Sequence, residues 1–170
     1  SYKFSNKKIN GPDEAITEST PTNVKLQRLE LDLQLLYQFF PRQVISVSGH
    51  LREMRGDLFE VSDLYRLGGA NSLRGYREDQ FLGNRISWTN LEYRFLLSKR
   101  TYAFGFYDFG YYLREEDLEN NIFRNSATKS GYGLGISLET GVGILAVSYA
   151  LGQGDSFAEG KIHFGIVNEF

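Results

Sequence analysis

The 170-residue sequence has no cysteine and only 3 prolines, and no apolar run reaches the roughly 18 residues that a membrane-crossing helix needs. The lack of cysteine excludes disulfides, zinc–thiolate centres and a cysteine nucleophile. The lack of a long apolar run excludes a transmembrane helix. Neither sign of charge dominates: 19 Lys and Arg face 21 Asp and Glu, so nothing in the balance draws the chain to nucleic acid. Mean hydropathy is low, at −0.35. That leaves a membrane β-strand open, because such a strand shows lipid only its alternate residues. The opening Ser1-Tyr2-Lys3-Phe4 has no apolar signal region and no initiating Met, so a processed chain or a fragment is expected. What the sequence holds in quantity is aromatic residues, at 15%, and 18 glycines.

The dominant period is two. Leu29, Leu31, Leu33, Leu35, Tyr37 and Phe39 alternate with Glu30, Asp32, Gln34, Leu36 and Gln38. A helix would place Glu30 and Asp32 on the arc of Leu29 and Leu33, so the pattern predicts a strand with one apolar face. The same alternation recurs around 45–51, 90–97, 131–139, 145–151 and 161–166. Residues 101–112 form a further strand with aromatics on both faces, and a shorter piece at Tyr2–Ile9 completes eight candidates. No helix is expected.

Tight turns at Pro41-Arg42, Ser98-Lys99-Arg100 and Thr140-Gly141-Val142 alternate with long polar connections at about 10–23, 54–84, 113–130 and 152–160. Strict alternation of short and long connections describes an antiparallel meander with its turns at one end and its loops at the other. Outer-membrane barrels have this asymmetry. Several strands also reach the ~9–11 residues that cross a bilayer at a tilt. Tyr37, Phe39, Phe40, Tyr93 and Tyr102 near strand ends suit an interfacial aromatic girdle. The fold expected is therefore all-β, an antiparallel transmembrane barrel partnered by the lipid bilayer. A soluble β-barrel holding an apolar ligand inside is the alternative, since periodicity shows an apolar face but not what covers it.

The loop at 54–84 carries Leu67-Gly68-Gly69-Ala70-Asn71-Ser72-Leu73-Arg74-Gly75-Tyr76-Arg77-Glu78. A loop this long is usually functional or disordered, and its Leu, Tyr and Phe content argues for order. It is no phosphate cradle, having neither G-K-[ST] nor a strand–helix context. This G-G-x-x-S-L-R-G-Y run, followed by Leu91-Glu92-Tyr93-Arg94-Phe95, resembles the BamA-type outer-membrane insertase superfamily, which includes two-partner-secretion transporters. Three further segments match in order. Phe106-Tyr107-Asp108-Phe109-Gly110 is similar to an F-x-D-x-G strand motif. Gly133-Leu134-Gly135-Ile136 fits a glycine-rich penultimate region. Lys161–Phe170 looks like the terminal β-signal, with His163, Phe164, Gly165, Ile166 and the closing Phe170 in its amphipathic pattern.

The resemblance implies that Arg74, with Gly75 and Tyr76, lies inside the barrel and is anchored by Asp108, with Glu92 as a second acidic neighbour. The alternation itself points Glu92 inward, opposite Leu91, Tyr93 and Phe95, whereas Asp108 shares parity with Phe104 and Phe106. The family's barrel has about sixteen strands preceded by POTRA domains, so residues 1–170 are expected to be its C-terminal part. An eight-stranded barrel is only wide enough for side chains, so either the loop lies outside or, as is expected here, the remaining half of a wider barrel comes from another segment or chain. Other implied partners are outer-membrane assembly proteins, and the implied location is the outer membrane of a Gram-negative-type bacterium. Insertion or translocation of proteins is the implied function. A barrel anchoring a surface or lipase-type enzyme module is the rival.

No enzyme chemistry, cofactor or metal is expected within the chain. His50 and His163 lack an HxxxH or Cys partner, and no G-x-S-x-G elbow is present. Glu115-Glu116-Asp117 with Glu119 has no EF-hand spacing and reads as a solvated acidic loop.

Overall fold

The computed structural model describes residues 2–8, 23–56, 61–116, 122–141 and 143–167. Ile9, the connection at 10–22, Asp117, Glu119, Val142 and Phe170 therefore lie outside the described residues. Ten strands follow in chain order: β1 (Tyr2–Lys8), β2 (Asn23–Phe40), β3 (Gln43–Gly56), β4 (Tyr65–Leu67), β5 (Phe81–Gly83), β6 (Arg85–Leu96), β7 (Tyr102–Arg114), β8 (Asn125–Thr140), β9 (Gly143–Gly152) and β10 (Lys161–Val167). A single 3-10 turn at Phe157–Glu159 is the one helical piece among the described residues.

Eight of these strands form one antiparallel sheet, ordered β1-β2-β3-β6-β7-β8-β9-β10, while β4 and β5 make a separate ribbon. Chain neighbours are thus sheet neighbours throughout, with the ribbon inserted between β3 and β6. Short turns at 41–42 and 97–101 lie at one end, and the loop residues described from 61 to 84 at the other. All eight main strands stand where the sequence predicts them, but several run further. β2 begins at Asn23, β6 at Arg85 and β8 at Asn125. In β2 and β6 these extensions put their apolar residues, Val24 and Leu26 or Ile86 and Trp88, on even positions, out of phase with the leucines further along, and in β8 the extension is largely polar. The ladder continues through them because backbone pairing satisfies N–H and C=O groups whatever the side chain.

The register builds two faces. On one, Leu35, Val47, Leu91, Tyr107, Tyr132 and Leu151 are successive partners across β2, β3, β6, β7, β8 and β9. This face is uncovered: Leu33 is 76% exposed, Leu134 71% and Phe164 66%. An apolar surface this broad requires an apolar partner. A soluble barrel with an apolar interior would bury these same residues, so the soluble alternative does not describe this sheet.

The opposite face carries Asp32, His50, Asn90, Glu92 and Arg94, and loop residues between 61 and 84 cover it around Asn90 and Glu92. β7 carries aromatics on both faces, as its sequence predicts: Phe104, Phe106 and Tyr112 are buried on the loop face beside Asp108, while Tyr107 and Phe109 face out. The main apolar core lies under the loop. Leu67, Leu73 and Tyr76 pack there against Ile86 of β6 and Tyr112 of β7. The sheet is open, since β1 and β10 form its opposite edges.

Candidate functional site

The loop that covers the inner face is built by local chemistry before it meets the sheet. Its ribbon pairs Tyr65 with Gly83 and Leu67 with Phe81. Between those strands the chain folds on itself: Gly69 N–H donates to the Leu73 carbonyl at 3.1 Å, and Gly68 N–H to Ser72 Oγ at 2.9 Å. Tyr76 meets Phe81 edge-on with centroids 5.1 Å apart, and Phe81 stacks on Tyr112 of β7 at 5.0 Å. The tip turns at Gly75, where φ is +92° and a Cβ would come within 2.6 Å of the Leu151–Gly152 backbone. Only glycine takes that conformation at that distance without strain.

At the tip, Arg74 is held by β7 and β6 together. Its Nε donates to Asp108 Oδ2 at 2.7 Å and its Nη2 to Oδ1 at 2.7 Å, a two-pronged pair. The Arg74 backbone N–H donates to the same Oδ2 at 3.0 Å. Nη1 donates to Glu92 Oε1 at 2.7 Å. The other Glu92 oxygen accepts from Arg94 Nε at 2.8 Å, so charges alternate along Asp108, Arg74, Glu92 and Arg94. The guanidinium also lies 3.6 Å from the Phe106 ring centroid. Asp108 is fully buried and Arg74 is 7% exposed. Burial by itself opposes the Arg74 charge, but the hydrogen bonds from Asp108 and the field of both carboxylates outweigh it and raise its pKa.

Neighbouring residues extend the seat to either side. Asn90 Nδ2 of β6 donates to the Ser72 carbonyl at 2.7 Å. Tyr76 Oη donates to the Ser130 carbonyl of β8 at 3.0 Å and accepts from Gln153 N–H, just past β9, at 3.0 Å. Burial pushes the Tyr76 pKa up, which keeps its proton for the Ser130 bond. Gly75 N–H donates to Nε2 of His163, on β10, at 3.0 Å. Four loop residues, Ser72, Arg74, Gly75 and Tyr76, are thereby tied to elements from β6 through β10, and Leu73 between them packs on Ile86 and Tyr112. The seat is cut to shape by glycines: a Cβ on Gly131 would overlap the Arg74 carbonyl, and one on Gly133 would press the Phe106 ring at 2.8 Å.

The structure brings together Arg74, Gly75, Tyr76, Glu92 and Asp108, and it adds His163 to that group. Phe164 and Ile166 stand on the opposite, exposed face, and Gly165 shares the inner one. Asn90, Arg94 and Phe106 also belong to the site; Arg94 and Phe106 fall within the quoted motifs, but none of the three is assigned a role from sequence. Their parity with Glu92 and Asp108 was the available signal. His50 lies apart, its Nδ1 2.6 Å from Asp32 Oδ1 and its ring stacked on Trp88. Arg74, Asp108, Glu92 and Arg94 thus form a line of paired charges under the loop.

No curated protein matches the chain. The family model described as the Omp85 superfamily domain matches residues 14–170, which takes in the loop, its seat and every main strand after β1. That superfamily comprises outer-membrane proteins of Gram-negative bacteria that insert or transport other proteins. A one-sided loop seat on an open antiparallel sheet, faced outward with apolar residues, is part of such a barrel, and the chain belongs to the Omp85 superfamily.

Proposed function

We propose that residues 1–170 form the C-terminal part of a wider outer-membrane barrel, of about sixteen strands in the family's pattern, that inserts or translocates proteins. In this reading the loop lies in the lumen, latched by Arg74 to Asp108 and Glu92, and the chain itself catalyses no chemistry. The observation that supports it best is the fastening of residues 72–76 to the inner face of the sheet. A loop of this size needs a barrel wider than eight strands. The open edges at β1 and β10 are where the remaining strands join. The terminal segment 161–170 would be read by the assembly machinery through its free edge and aromatic end.

The test is Arg74→Ala in the full-length protein within bilayers. Hydrogen exchange over 66–80 should speed up, and insertion or translocation should fall. Faster exchange with unchanged transport would favour a barrel that only anchors a surface module. Unchanged exchange would remove the latch.

A further inference from the structure

The hydrogen bond from Gly75 N–H to His163 Nε2 is chemically particular. A ring nitrogen accepts only when it carries no proton, so the bond fixes His163 as the neutral tautomer with hydrogen on Nδ1. His163 is 9% exposed and sits on β10, an edge strand whose other side has no partner among the described residues. On its inner side β10 pairs with β9 through Lys161–Val167. The loop tip is pressed on the β9 backbone beside it, with Gly75 against Leu151 and Gly152. His163 is therefore placed to fasten the edge strand to the tip of the loop.

From this we infer that His163 is a positioning residue: in its neutral form it couples the terminal strand β10 to the Arg74-Gly75-Tyr76 tip, so that displacing either one loosens the other. The inference rests on the loop reading proposed above but concerns a separate fastening. Arg74 ties the loop to β6 and β7, whereas His163 ties it to the strand that borders the open edge. The charged groups facing the ring are Arg74 and Glu78 of the loop, Asp108 of β7 and Lys161 of β10, two of each sign. Lys161 is itself engaged by Asp155 at 2.6 Å. Protonating Nε2 would put a donor opposite a donor. The coupling is thus present while the ring is neutral and lost as pH falls through the ring's titration.

The experiment is hydrogen exchange on the full-length protein in bilayer discs at about pH 8 and about pH 5, the interval in which a histidine ring changes charge. Protection factors for peptides covering 72–78 and 161–167 are compared in wild type, His163→Gln and His163→Ala. A Gln amide oxygen can accept the Gly75 bond but does not titrate. Wild type should lose protection together in both peptides at the lower pH, by about five- to tenfold, the factor for one ordinary hydrogen bond. His163→Gln should stay protected at both values, and His163→Ala should be unprotected at both. Identical pH responses in wild type and His163→Gln would overturn the coupling. So would loss confined to one of the two peptides. Arg74→Ala is run alongside: if it loosens the loop while His163→Ala leaves β10 unchanged, the His163 coupling alone fails and the latch stands.

Discussion

Arg74 is surrounded by groups that each satisfy a different part of it: one carboxylate takes the side-chain fork and the backbone N–H, another takes the remaining nitrogen, and an aromatic ring covers the guanidinium face. Planarity is what allows this, so lysine is no substitute, since an ammonium offers a point charge and no fork. Asp108 is entirely buried, which makes the two single variants unequal. Arg74→Ala leaves a buried carboxylate uncompensated, at a cost of about 3–5 kcal/mol. Removing both partners avoids most of that penalty. In unfolding titrations, Arg74→Ala with Asp108→Asn should therefore destabilise clearly less than the sum of the two single changes. Additive losses would mean that the pair is not coupled.

At the scale of elements, β8 acts as the floor of the seat. Its inner positions alternate as Gly131, Gly133 and Gly135, leaving room for the Arg74 backbone and for the Phe106 and Phe104 rings. The absence of side chains here does as much to position Arg74 as the carboxylates do. Gly131→Ala removes no charge and no hydrogen bond, yet its methyl group would occupy the place of the Arg74 carbonyl. This single methyl should speed exchange in 72–78 about as strongly as Arg74→Ala does, while the β8–β9 pairing stays protected. Normal loop protection in Gly131→Ala would show that the tip does not sit on β8. The β4–β5 ribbon contributes differently: by pairing within the loop, it delivers Leu67 and Leu73 as a preformed apolar surface to Ile86 and Tyr112. The ribbon's hydrogen bonds are internal to the loop, whereas its apolar contacts are with the sheet, so releasing the latch leaves the ribbon pairing intact.

Considered whole, the molecule turns the usual arrangement of a β-protein inside out. Its continuous apolar face is exposed, and its polar face holds the loop. Leu134 occupies the middle of that outer face, between Gly105 and Tyr149 in the register. Leu134→Arg should cost about 2–4 kcal/mol near the bilayer midplane, read as a lowered unfolding midpoint in bilayers. In a water-facing position the same change would be nearly neutral, and that outcome would refute the lipid-facing assignment.

The strands, their meander order and their apolar face were legible in the sequence because each depends on a period of two and on local turn chemistry. Leu31, Leu33 and Leu35, or Leu91, Tyr93 and Phe95, carry that information within a few residues. Glu92 was legible as inward by the same parity. The β4–β5 ribbon was not, because three-residue strands are too short to show a period. Nor was the direction of β7, where aromatics on both faces cancel the alternation and only packing under the loop selects the side for Phe104, Phe106 and Asp108. The bond between Gly75 and His163 joins residues 88 positions apart, and no local pattern encodes such a distance. The sequence by itself determined an antiparallel sheet with one apolar face, since side-chain alternation is a local property. Which residues close the loop on that sheet was decided only by the tertiary structure, since it depends on register summed across five strands and on the space that glycines leave between them.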